Sequence, residues 1–313
     1  MKVLVISGFL GAGKTTFIKA LARRTHRDFA VMENEYGEVG IDGAVLGESP
    51  EKLNIWELTE GCICCSRKSD FATSVLTIAN TVDPEYLIAE PTGVGMLSQV
   101  MENLAGIQYE KIQLLSPITL VDGNSFERYL KEYPEIYGDQ LQNAGTILIS
   151  KMESASFEEL SRLRCRIAEL APESRILTSH YDTQEDPWFY DLLQKGLQGE
   201  ILKASDSALD LENLSLTDVS LQNPDQLLLL LNGIVSGVFG SVCRCKGYLQ
   251  AGDSWLRFDT ADRLYSITGC SPMEDSRAVF IGKNLKRSWL RDLLQQEITV
   301  KPYSSPKSPR SRR

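Results

Sequence analysis

Short apolar runs and helix-period stretches alternate through the first 200 or so residues. The runs KVLVIS (2–7), FAVME (29–33), LNIWEL (53–58), YLIAE (86–90), ITLVDG (118–123) and TILIS (146–150) are brief and mostly rich in β-branched residues, so each reads as a strand. Between them, KTTFIKALARR (14–24) and SFEELSRLRCRIAEL (156–170) repeat apolar residues every three or four positions, the period of an amphipathic helix. This alternation predicts an α/β fold, a mostly parallel sheet flanked by helices on both faces.

A polar stretch, KASDSALDLEN at 203–213, reads as a linker, and the pattern changes beyond it. LSLTDVSL (214–221) alternates like a strand. NPDQLLLLLNGIVSGVF (223–239) opens with a cap-like Asn and an early Pro, so it reads as a helix. SVCRCKGYLQAG, SWLRFDTAD and RLYSITGC follow as an antiparallel meander, then RAVFIGKNL as a strand and KRSWLRDLLQQ as a last helix. The expected organisation is an α/β domain at 1–202, the linker, a small α+β domain at 214–300, and a disordered tail rich in Pro, Ser and Arg at 301–313.

A net charge of -9 argues against nucleic acid as a partner, because phosphate neutralisation needs a basic face. No apolar run approaches a membrane span; the longest, at 227–231, has Asp225 and Asn232 close by. The opening MKVLVISG leads straight into a glycine motif rather than a secretory leader, so a cytoplasmic location is expected. The seven cysteines are odd in number and five fall in two tight clusters, which points to thiolate metal ligands or redox chemistry rather than a disulfide framework. His26 and His180 are the only histidines.

The segment GFLGAGKTT fits G-x-x-x-x-G-K-[ST] through Gly8, Gly13, Lys14 and Thr15, between a strand and a helix. Backbone N–H groups across Gly8, Gly11, Ala12, Gly13 and the helix start at Thr15 and Thr16 are expected to surround a β-phosphate. Lys14 is expected to reach the β- and γ-phosphates, and the Thr15 hydroxyl to ligate Mg²⁺. Glu90, directly after an apolar strand, is the candidate acidic group near Mg²⁺, and Gly93 lets a backbone N–H approach the γ-phosphate. Ser150, Lys151 and Glu153 follow another strand in the pattern that reads guanine. Glu153 is one methylene longer than the usual Asp, which loosens the choice of base.

Cys62, Cys64 and Cys65 lie in GCICC, a spacing that hinders a relaxed disulfide but offers several thiolates to one soft ion such as Zn²⁺, with Co²⁺ also feasible. Glu33, Glu35 and Glu38 crowd the preceding segment and can complete a mixed sulfur and oxygen site or serve Mg²⁺. Cys243, Cys245 and Cys270 form a second soft-metal site if the meander brings them together.

Taken in order, GFLGAGKTT, ENEYGEVGID, GCICCSR, EPTGVG and SKME resemble the CobW-like P-loop GTPases, relatives of UreG and HypB, and the later RCKGYL and VFIG resemble that family's C-terminal domain. The resemblance implies GTP-dependent delivery of zinc or cobalt to a client metalloprotein. It puts the metal on Cys64 and Cys65 most directly, with Cys62, Glu33 and Glu38 as further candidates, and sets Glu90 where other GTPases have Asp. Glu153 departs from the family's usual Asp, and the His-rich stretch of several members is missing. Two rival expectations remain: a GTP-driven chaperone of a corrinoid protein, and a passive zinc-binding protein whose metal affinity ignores nucleotide. A small-molecule kinase is weaker, since no acceptor site is evident. A homodimer is among the expected states.

Overall fold

Parallel strands meet at β1 (Lys2–Gly8), which lies inside the larger of two sheets. The computed structural model describes residues 1–33, 53–57, 68–109, 111–197, 199, 201–202, 211–261 and 263–295, with the backbone alone at 33, 53–57 and 68–70. After β1 come α1 (Lys14–Thr25), β2 (Phe29–Glu33), β3 (Leu53–Glu57), α2 (Lys68–Thr81), β4 (Tyr86–Glu90), α3 (Leu97–Ala105), β5 (Gln113–Leu114), β6 (Ile118–Asp122), α4 (Phe126–Glu132), α5 (Pro134–Gln142), β7 (Thr146–Ser150), α6 (Phe157–Leu170), β8 (Arg175–Leu177) and α7 (Asp186–Leu192). The strand order is β3-β2-β4-β1-β6-β7-β8, with β5 also on β1, and every pairing is parallel.

The side-chain period of two along β1 sorts the core into layers. Leu4 and Ile6 face α1 and α7, packing with Phe17, Leu21 and Phe189. Val3 and Val5 face α2 and α3, packing with Val75, Val100 and Leu104. Strands buried on both faces read as apolar runs, which is why β1, β2, β4, β6 and β7 stand out in the sequence. β5 and β8 are two and three residues long and carry no period to detect. α6 is fixed at its start by a capping box, in which Ser156 Oγ accepts from Glu159 N–H and the Glu159 carboxylate accepts from Ser156 N–H.

The second sheet is formed by β9 (Glu212–Thr217), β10 (Ser220–Leu221), β11 (Ser241–Ala251), β12 (Ser254–Ala261), β13 (Leu264–Gly269) and β14 (Arg277–Lys283), in the order β13-β12-β11-β14-β9 with β10 parallel to β11. The alternating segment at 214–221 is split into β9 and β10 because Asp218 turns the chain at φ 56°. α8 (Pro224–Val235), capped by Asn223, and α9 (Arg287–Leu294) cover one face through Leu227, Leu231, Leu290 and Leu294 against Cys245, Leu249 and Phe280. Each such fully buried Leu or Phe contributes about 1.5–3 kcal/mol. Cys243, Val279 and Ile281 on the opposite face join Phe9, Tyr133 and Tyr137 of the first sheet's layer, so one apolar cluster spans both sheets.

Candidate functional site

β1 ends at Gly8 because only glycine fits there: a Cβ would lie 2.4 Å from Leu120 O, at φ 140°. Gly11 and Gly13 take positive φ of 75° and 94°, so the chain turns sharply into α1, and Ala12 N–H between them donates to Phe9 O at 3.2 Å. Lys14 opens α1. Its Nζ donates to Gly8 O at 3.2 Å and stands 3.7 Å from Glu90 Oε1. Lys14 is 8% exposed and Glu90 14%. β4 lies directly beside β1, so Glu90 reaches the same crest of the sheet as the loop. Thr15 is half-buried and Thr16 exposed on the first turn of α1. Loop amides, a helix N-terminus and a held ammonium form an arrangement that can take a phosphate chain.

Gly93 packs on the loop: its Cβ would meet Leu10 N at 2.8 Å. The segment is held from α5, where buried Gln140 Nε2 donates to Gly93 O at 3.1 Å and to Gly95 O at 2.9 Å. The Asp139 carboxylate beside it accepts from Ser98 N–H at the start of α3, and burial pushes its pKa up.

On the other flank, Ser150 Oγ donates to Ala12 O at 2.8 Å and to Val121 O at 3.2 Å. This hydroxyl therefore ties the phosphate loop to β6 and β7 rather than facing solvent. Lys151 turns at φ 62° and its Nζ lies 2.8 Å from Asp122 Oδ2, while Asn124 Nδ2 donates to Lys151 O. Glu153 is exposed, with Oε1 3.4 Å from His180 Nε2. The sequence reading gives no role to Asp122, Gln140 or His180. Asp122 carries a faint signal, an acid closing an apolar strand as Glu90 does, whereas Gln140 and His180 carry none.

Cys62, Cys64, Cys65, Glu35 and Glu38 lie outside the described residues. Glu33 closes β2 in register with Glu90 on β4, and Glu57 closes β3 in register with Glu33. The second soft-metal site is a correction. A register shift between Val242 and Arg244 puts Cys243 against Tyr133 and Ile281, and Cys245 in the cluster under α8 on the other face. Burial pushes the Cys243 thiol up to about 12 and the Cys245 thiol well above its ordinary value, so both stay protonated at neutral pH. Among the described residues no three His, Cys, Asp or Glu side chains gather as a metal site.

The profile of the CobW/HypB/UreG nucleotide-binding domain matches residues 2–178. The chain belongs to this family. The CobW C-terminal domain profile matches residues 212–297, so the second sheet also has its counterpart among CobW proteins. The chain is similar to the zinc chaperone YeiR of Escherichia coli, 34% identical over 51% of this chain and 49% of YeiR. It is 26% identical to the zinc chaperone YjiA of the same organism, over 92% of this chain and 96% of YjiA. It is 27% identical to zinc-regulated GTPase metalloprotein activator 1 of Dictyostelium discoideum, over 82% of this chain and 63% of that protein. In this CobW-family chain the loop, Lys14 and Glu90 stand together at one end of the parallel sheet. Among the described residues no helix is long and apolar enough to cross a membrane.

Proposed function

We propose that this protein is a GTP-hydrolysing metallochaperone that couples nucleotide state to the binding and delivery of zinc. The observation that carries the reading is the crest of the first sheet. Lys14, in the phosphate loop, stands 3.7 Å from Glu90, and β2 and β3 end in register beside it. The thiol segment begins at Cys62, five positions beyond Glu57 at the end of β3. The zinc chaperones and the zinc-regulated GTPase that the chain resembles support zinc over cobalt.

In this reading Gly8, Gly11, Ala12 and Gly13 cradle the phosphates, and Lys14 leaves Gly8 O and Glu90 to pair with them. Thr15 and Glu90 offer the hard oxygen donors that suit Mg²⁺, which when bound neutralises charge between the phosphates. Ser150 holds the loop to β7, and Lys151 and Glu153 take the base. Cys62, Cys64 and Cys65, with Glu33 or Glu38, carry the metal as cargo for a client metalloprotein. A coupling of about 1–3 kcal/mol would change metal affinity roughly 5–150-fold between nucleotide states.

The test is a competition titration of Zn²⁺ and Co²⁺ into reduced protein, without nucleotide, with Mg·GDP and with a non-hydrolysable Mg·GTP analogue. It is repeated on Cys64→Ser/Cys65→Ser. The expected result is a tight, thiol-dependent zinc site whose affinity moves about tenfold, or about 1.4 kcal/mol, with nucleotide. A tight site indifferent to nucleotide would identify passive zinc binding. The lack of any tight site would point to a protein client such as a corrinoid enzyme.

A further inference from the structure

We propose that His180 is a positioning residue for base selectivity, holding the Glu153 carboxylate to meet the hydrogen-bonding edge of guanine. The proposal rests on the guanine-nucleotide reading above and adds a residue to it. A glutamate that reads a base carries a difficulty of its own. Its extra methylene adds a rotatable bond, and fixing such a side chain costs conformational entropy. Glu153 is on the surface, 58% exposed, so packing does not restrain it. Something must hold it in place if it is to discriminate.

His180 stands beside that carboxylate. β7 and β8 run parallel, with Leu148 in register with Leu177, so the segments that follow both strands emerge at the same end of the sheet. The His180 Nδ1 accepts from Asp182 N–H at 3.3 Å. The other ring nitrogen, Nε2, faces Glu153 Oε1 at 3.4 Å, where a proton on it would be directed at the carboxylate. An ionised carboxylate has about four acceptor positions, so one contact to His180 leaves capacity for the two donors that guanine presents on N1 and N2.

The ring itself is fixed. It stacks on Tyr181 with centroids 4.3 Å apart. Tyr181 is buried and meets Phe17 edge-on at 5.0 Å. Phe17 lies one turn beyond Lys14 in α1. Thr183 Oγ1 donates to His180 O at 2.7 Å, closing the short turn. The Asp182 carboxylate, 3.7 Å from Nδ1, is held by Arg23 of α1 at 3.6 Å. The helix that receives the phosphates thereby also supports the histidine that aims Glu153.

The experiment measures equilibrium binding of GDP, IDP and ADP to the full-length protein, with IDP lacking the 2-amino group. Four variants are compared: His180→Phe, which keeps a ring for the stack but has no donor; His180→Gln, which keeps a donor; Glu153→Ala; and His180→Phe combined with Glu153→Ala. The expected result is that His180→Phe lowers the GDP-to-ADP and GDP-to-IDP preferences about fivefold with ADP binding unchanged, and that His180→Gln restores most of this. In the Glu153→Ala background, His180→Phe has no further effect, the signature of two groups acting as one. A His180→Phe protein with wild-type preferences, or one that weakens all three nucleotides equally, overturns the assignment. Wild-type protein that binds GDP and ADP equally overturns the guanine reading and this assignment with it, and that result is visible before any variant is made.

Discussion

Gly8 has no substitute. Alanine there would need both the rare φ of 140° and a methyl 2.4 Å from Leu120 O, so β1 and β6 would have to part. Backbone strain of this kind costs about 1–3 kcal/mol before the clash is counted. The expected outcome for Gly8→Ala is a lower melting temperature and no rise on adding GDP, read by thermal melts with and without nucleotide. Glu212 is a second single-residue determinant. Its carboxylate accepts from Arg287 Nε at 2.9 Å and Leu285 N–H at 3.1 Å, and the Arg287 contact holds its pKa below the ordinary 4.5. A carboxyl lowered in the folded state contributes above 4.5 and loses that contribution as pH falls through the folded value. The wild type should therefore exceed Glu212→Gln in urea resistance at neutral pH, and the gap should close in acid; a gap unchanged by acid would refute the linkage. Cys243 and Cys245 show how one residue can defeat a pattern. A period of two puts them on one face, and the register shift beside Cys243 separates them into two cores.

Among elements, α5 touches more of the site than its sequence announces. One end donates through Gln140 to Gly93 O and Gly95 O, and Tyr133 and Tyr137 at the other pack on Phe9 of the loop and share a core with Cys243 and Ile281. Gln140→Leu would strand two buried carbonyls at about 1–3 kcal/mol. The expected result is that loss in urea unfolding, with slower GTP turnover because the segment after Glu90 is no longer held; unchanged turnover would show that the segment holds itself. The phosphate loop was legible in the sequence because phosphate binding needs its residues at fixed local spacing. Gln140, Asp122 and His180 were not, because each acts across strands that only the sheet order brings side by side. Strands buried on both faces showed as apolar runs, while β5 and β8 were too short to carry a period.

At the scale of the whole molecule, the two sheets meet through one apolar cluster and a rim of polar contacts. Lys283 Nζ donates to Glu132 O at 3.3 Å and lies over the Tyr133 ring, and Arg263 is paired with Glu132 at 3.6 Å. The tip of the β12–β13 hairpin sits on the phosphate loop itself, since a Cβ on Gly11 would be 3.2 Å from Ala261 Cβ. A larger side chain at 261 would therefore act as a wedge on the loop, and Ala261→Leu should shorten the residence time of a bound fluorescent GDP analogue in a stopped-flow chase. An equal dissociation rate would show that the loop yields without cost. By the same mechanical connection, a client that grips the hairpin and draws it aside would be changing the lifetime of the nucleotide, and the protein would keep time by its client.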